Sequence, residues 1–101
     1  MNNHTEISEI QIVPVKPREG LIAFASFVLD QKYYVGSVAL YTRLDGSGYR
    51  LVYPTKKIGE RNLNTFHPIS RAAGEEIEKT VLEKVNEIFN KRFDENYGEY
   101  Q

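Results

Sequence analysis

Residues 21–41 read LIAFASFVLDQKYYVGSVALY, two runs of β-branched, aromatic and small apolar residues joined by Asp30-Gln31-Lys32. Such runs fit a pleated, half-buried surface, and the short polar connection between them suits an antiparallel reversal. The segment therefore predicts a hairpin of Leu21 to Leu29 with Tyr33 to Tyr41. In both strands the odd and even positions are apolar: Leu21, Ala23, Ala25 and Phe27 against Ile22, Phe24 and Val28, then Val35, Ala39 and Tyr41 against Tyr34, Val38 and Leu40. An antiparallel sheet with one wet face alternates apolar with polar residues, so both faces of this one need cover.

On the N-terminal side, Ile7 to Val15 is a further β-rich run, and Pro14, which has no amide to donate, makes it an edge strand. Pro17 to Gly20 reads as the turn into the hairpin. On the C-terminal side, Asp45-Gly46 and Gly48 supply the backbone freedom for a tight reversal, and Tyr49 to Tyr53 is the fourth strand. After Pro54 comes a polar loop, then a short extended piece at Thr65-Phe66-His67, held from helical angles at its end by Pro68. Ser70 is placed to cap a helix over residues 71–93, with Ile77, Val81, Val85 and Ile88 on one stripe and Leu82, Phe89 and Phe93 beside it.

These elements predict an α+β fold: an antiparallel sheet of four to five strands packed by one long C-terminal helix. They occupy a single domain over residues 7–93, between a flexible N-terminus (1–6) and a flexible acidic tail (94–101). One helix covers one face of the sheet. A second copy in a symmetric homodimer is the simplest cover for the other.

The 101-residue chain has no cysteine, which removes disulfides, thiolate catalysis and cysteine zinc sites together. No segment reads as a secretory signal, and its longest apolar run is too short to span a bilayer, so a cytoplasmic protein away from membranes is expected. The net charge of −1 is unevenly spread. Residues 1–69 hold eight Lys/Arg against six Asp/Glu, and residues 70–101 five against eight, so an acidic end masks a basic middle.

Catalysis has little to stand on. His67 has no serine or carboxylate spaced to form an activated nucleophile, and beside Pro68 it reads as a structural residue. Two histidines and scattered carboxylates give no metal-ligand spacing, and Gly46 and Gly48 are not followed by the helix and lysine of a phosphate loop. No catalytic residue, metal, cofactor or small-molecule substrate is expected.

Residues 53–70, YPTKKIGERNLNTFHPIS, are different in kind. From Arg43 to Arg61 there are five basic residues (Arg43, Arg50, Lys56, Lys57, Arg61) against Asp45 and Glu60, with Tyr49, Tyr53 and Phe66 close by in sequence. Lysine and arginine can contact phosphates, and exposed rings can stack on unpaired bases. Read from charge alone, the simpler reading of the same residues is a solvated loop.

The landmarks Glu19-Gly20-Leu21, AFASFVLD ending at Asp30, YYVGSVAL, and RLVYPTKK leading through a polar loop to HPIS resemble the stage V sporulation protein G (SpoVG) family of bacterial regulators. The likeness runs from about Ile10 to Ile88, and Ile58 departs from it, standing where a small polar residue is usual. The resemblance implies a small dimeric α+β protein that binds DNA or RNA, influences septation and gene expression, and has no enzymatic activity. By position Lys56 and Lys57 match the family's basic pair for nucleic acid, and His67 and Pro68 its His-Pro, while the loop between is shifted in length and leaves Arg61 without a match. On the residues themselves Arg61 and Arg50 are expected to assist the lysines, and Pro54, His67 and Pro68 to anchor the loop. Two rivals stay open: a protein-interaction module for a division or regulatory partner, and, last, an enzyme acting through His67 and Glu60.

Overall fold

A computed structural model describes residues 4–99, with side chains from His4 to Phe89. Four antiparallel strands form a meander: β1 (Ile7–Arg18), β2 (Leu21–Leu29), β3 (Tyr33–Thr42) and β4 (Tyr49–Val52), adjacent in chain order. Strands β5 (Thr55–Ile58) and β6 (Arg61–Asn64) form a separate two-stranded ribbon, and α1 (Arg71–Glu99) closes the chain. The fold is α+β, a four-stranded antiparallel sheet packed against one C-terminal helix.

The turn chemistry follows the sequence. Asp30 and Gln31 both take positive φ (50° and 57°), and the Lys32 amide donates to the Leu29 carbonyl at 2.9 Å, a mirror-image turn whose twist suits a hairpin. In the next connection the Ser47 amide donates to the Asp45 carboxylate at 2.9 Å. Hydrogen bonds from Ser47 hold that carboxyl below its usual range.

The core lies between one sheet face and the helix. Ala23, Ala25, Phe27, Val35, Val38 and Leu40 are buried against Ile77, Val81 and Val85, which recur every fourth residue on α1. Each fully buried large apolar side chain contributes roughly 1.5–3 kcal/mol by leaving water. The helix begins where Ser70 caps it, its Oγ accepting the Ala73 amide at 3.1 Å. Gly74 belongs to a close contact, since a Cβ there would meet the Pro68 ring at 3.4 Å.

Four features differ from the sequence pattern. First, Val35 faces the core together with Val38 and Leu40 because a bulge at Gly36-Ser37, with Ser37 at φ 59°, shifts the register between Ala25 and Phe27. Part of the two-faced apolarity of β3 is therefore one face interrupted by a bulge. Second, the chain is tied down before Ile7: Glu6 exchanges bonds with Asp30, and His4 meets the Glu76 carboxylate on α1. Residues 1–3 of the expected flexible N-terminus lie outside the described residues. Third, α1 runs to Glu99, past the end expected at Phe93. Residues 100–101 of the expected tail lie outside the described residues. Fourth, the polar loop is the β5–β6 ribbon.

Candidate nucleic-acid interface

The segment after Pro54 forms a hairpin because Gly59 supplies its turn. Ile58 pairs with Arg61 across Gly59-Glu60, and Gly59 has φ 64°, the left-handed backbone a two-residue connection needs at its first position. Above it Lys57 pairs with Asn62, Lys56 with Leu63, and Thr55 with Asn64. All eight strand residues are exposed.

The hairpin is clamped at its base. Pro54 has no amide but its carbonyl accepts from the Thr65 amide at 2.9 Å, extending the ladder by a step. On either side the chain turns aromatic rings inward, with the Phe66 centroid 5.7 Å from Tyr53 and 6.5 Å from the buried Phe27. Burial pushes the Tyr53 hydroxyl up from its ordinary pKa, and the negative charge of Glu78 adds to it. An isolated two-stranded hairpin is marginal in water, so this aromatic clamp is what makes a projecting arm tenable.

Alternation along the strands decides what the arm presents. Successive strand residues point to opposite faces. Lys56, Ile58, Arg61 and Leu63 therefore share one face, and Thr55, Lys57, Asn62 and Asn64 the other. The two adjacent lysines stand back to back. On the first face Ile58 is 56% and Leu63 43% exposed, so it is apolar as well as basic.

The remaining candidates lie elsewhere. Arg50 is on β4, on the sheet face away from the helix, its guanidinium 4.9 Å over the Tyr41 ring. It lines a shallow hollow with Arg43, Leu44 and Asp45, apart from the hairpin cations. Tyr49 stacks on Phe89 at 6.3 Å, and with Tyr53 and Phe66 it packs on the core, so none of these three rings is free to stack on a base. His67 is exposed, its Nδ1 3.0 Å from the Pro68 carbonyl oxygen, and Pro68 abuts Gly74 in the first turn of α1. Among the described residues no group of three or more His, Asp or Glu gathers as a metal site, and no helix is long and apolar enough to cross a membrane.

The sequence reading missed the hairpin, taking it for a loop, whereas it expected a sheet face that the helix leaves uncovered. On that face Val13, Phe24, Ala39 and Val52 pair in one row across all four strands, and Tyr34 stands beside them with its ring over Gly36. Val13 is 58%, Phe24 40% and Tyr34 74% exposed.

No protein-family model matches the chain. It is 32% identical over 89 residues to a protein of Finegoldia magna named as a septation protein SpoVG, an alignment covering 86% of this chain and 80% of that protein. With this identity spread over most of both sequences, the chain belongs to the SpoVG family.

Proposed function

We propose that the chain is a non-enzymatic, nucleic-acid-binding regulator of the septation type, acting as a symmetric homodimer without a cofactor. The observation that carries this reading is the clamped hairpin, on which Lys56, Lys57 and Arg61 are exposed and pair with no carboxylate among the described residues. Unpaired cations on a projecting arm attract a polyanion and release its counterions. The acidic helix lies on the other side of the sheet from the open face and repels phosphate, which favours approach by the arm. If both copies bring all three cations to phosphates, about six contacts give a log-log salt slope of roughly −5.

The test is binding of DNA and RNA oligonucleotides at two salt concentrations by the native protein and by Lys56→Ala/Lys57→Ala. Weaker and less salt-sensitive binding by the variant is expected. Equal affinities, or no salt dependence, overturn the reading. The dimer rests on the row from Val13 to Val52, which a second copy would cover. Sedimentation equilibrium at micromolar concentration should give the mass of two chains, and a monomer at every concentration refutes it. A protein partner that survives nuclease treatment, with no nucleic acid bound, replaces this reading by an interaction module.

A further inference from the structure

The back-to-back placement of Lys56 and Lys57 divides the arm into two faces of different chemistry. One carries Lys56 and Arg61 with Ile58 and Leu63, and the other carries Thr55, Lys57, Asn62 and Asn64 with no apolar side chain. Asparagine is depleted in strands, yet β6 places two on one face within four residues. Solvent exposure alone does not ask for that, because threonine, lysine or arginine serves a wet strand face with better local propensity. Places where local preference is set aside are where function is found. Asn64 Nδ2 is partly engaged, 3.5 Å from the Pro54 carbonyl oxygen. Asn62, nearer the tip and directly opposite Lys57, makes no side-chain hydrogen bond among the described residues.

We propose that the Thr55/Lys57/Asn62/Asn64 face of the hairpin reads base edges in the major groove of B-form DNA, with Lys57 and Asn62 as the reading pair, while Lys56 and Arg61 on the back hold phosphates. The inference rests on the nucleic-acid reading above and deepens it. The major groove is about 12 Å wide and admits a two-stranded ribbon. Directly opposed residues have Cβ atoms roughly 5 Å apart, within reach of neighbouring base pairs at a rise of about 3.4 Å. Asparagine can bond adenine at N6 and N7, and lysine can bond guanine at O6 and N7. The long stems of Lys56 and Arg61 carry their charges toward the phosphates that wall the groove.

Two observations favour duplex DNA over the other nucleic acids. The hairpin has no aromatic residue, and Tyr53 and Phe66 at its base are turned inward, so the arm itself offers no stacking platform for single strands; the exposed Tyr34 near its base belongs to the open sheet face. The major groove of A-form RNA is deep and narrow, closed to side chains.

The test selects a preferred duplex from a random pool, then measures affinity for selected and random duplexes at several salt concentrations. Native protein, Lys57→Ala/Asn62→Ala and Lys56→Ala/Arg61→Ala are compared. The native protein should prefer the selected duplex at least 10-fold, with a salt slope on random duplex near −3.6 for about four phosphates per dimer. Lys57→Ala/Asn62→Ala should lose the preference, by roughly 10- to 100-fold, and keep the slope. Lys56→Ala/Arg61→Ala should keep the preference and lose most of the slope. Replacing purines of the selected site by 7-deazapurines, which removes the N7 acceptors, should weaken native binding as the first variant does, with no change to the protein. A preference that survives in Lys57→Ala/Asn62→Ala or on 7-deaza duplex overturns the inference. So does equal or tighter binding to double-stranded RNA. Salt-dependent binding without any sequence preference overturns base reading and leaves the phosphate-binding function standing, whereas no nucleic-acid binding at all removes both.

Discussion

The four-stranded sheet and the β5–β6 hairpin are both antiparallel β-structure, and they are held by different forces. In the sheet, Phe27, Val38 and Leu40 are wholly withdrawn from water against Val81 and Val85 of the helix. In the hairpin no strand residue is buried, and order comes from four cross-strand pairs, a Gly59 turn and a clamp at Tyr53, Pro54, Thr65 and Phe66. The sheet therefore spends its side chains on packing. The hairpin's side chains remain available to a partner, which is why a surface site can sit there without weakening the core.

Three substitutions can break or sharpen this contrast. Phe27→Ala should have the largest effect, about 3–5 kcal/mol lost in chemical denaturation, because it empties the centre of the core and withdraws the ring that Phe66 meets edge-on. An effect below about 1 kcal/mol would mean that the sheet is not the stabilising unit. Gly59→Ala meets no atom within 4 Å, so its cost is only the left-handed backbone at φ 64°, about 1–2 kcal/mol. That cost should fall on the arm alone: amide exchange in β5 and β6 should quicken roughly fivefold or more while the melting temperature of the sheet stays put. A melting temperature that falls in step would show the two regions to be one cooperative unit.

The smallest effect concerns pH at the clamp between them. The folded Tyr53 hydroxyl titrates above its ordinary value of 10.0, through burial and then the charge of Glu78, so folding favours its neutral form. Its contribution is present in full below about pH 10 and is lost as pH rises through the raised value. Tyr53→Phe should flatten that alkaline decline in a series of thermal melts. An unchanged decline assigns it to other groups.

Periodicity and turn residues made the sheet legible from Leu21 to Tyr53 and the helix from Ser70, because apolar spacing and capping chemistry are local signals. The edge position of β1 followed from Pro14 in the same way. The hairpin was read as a loop because Lys56, Lys57, Asn62 and Asn64 are poor strand formers, and only Gly59 between Ile58 and Leu63 betrays a turn with an alternating pattern around it. Treating it as a loop also let both lysines face one ligand and left Tyr53 and Phe66 free to stack. The bulge at Ser37 was hidden for a related reason: β-branched and small residues on both sides of it give no sign of which register pairs.

What the sequence determined by itself was the four strands of the sheet, the helix stripe that covers it and the location of the basic segment, since each depends on residues a few positions apart. The tertiary structure decided where that chemistry points. Strand pairing set Lys56 and Lys57 on opposite faces, the core claimed Tyr49, Tyr53 and Phe66, and Arg50 was drawn over Tyr41 on another surface. The placement of the rings and of Arg50 depends on which strand pairs with which, and at what register, contacts chosen by the burial of the whole core, whereas the lysines are parted by a Gly59-turned hairpin that their own strand propensities do not announce.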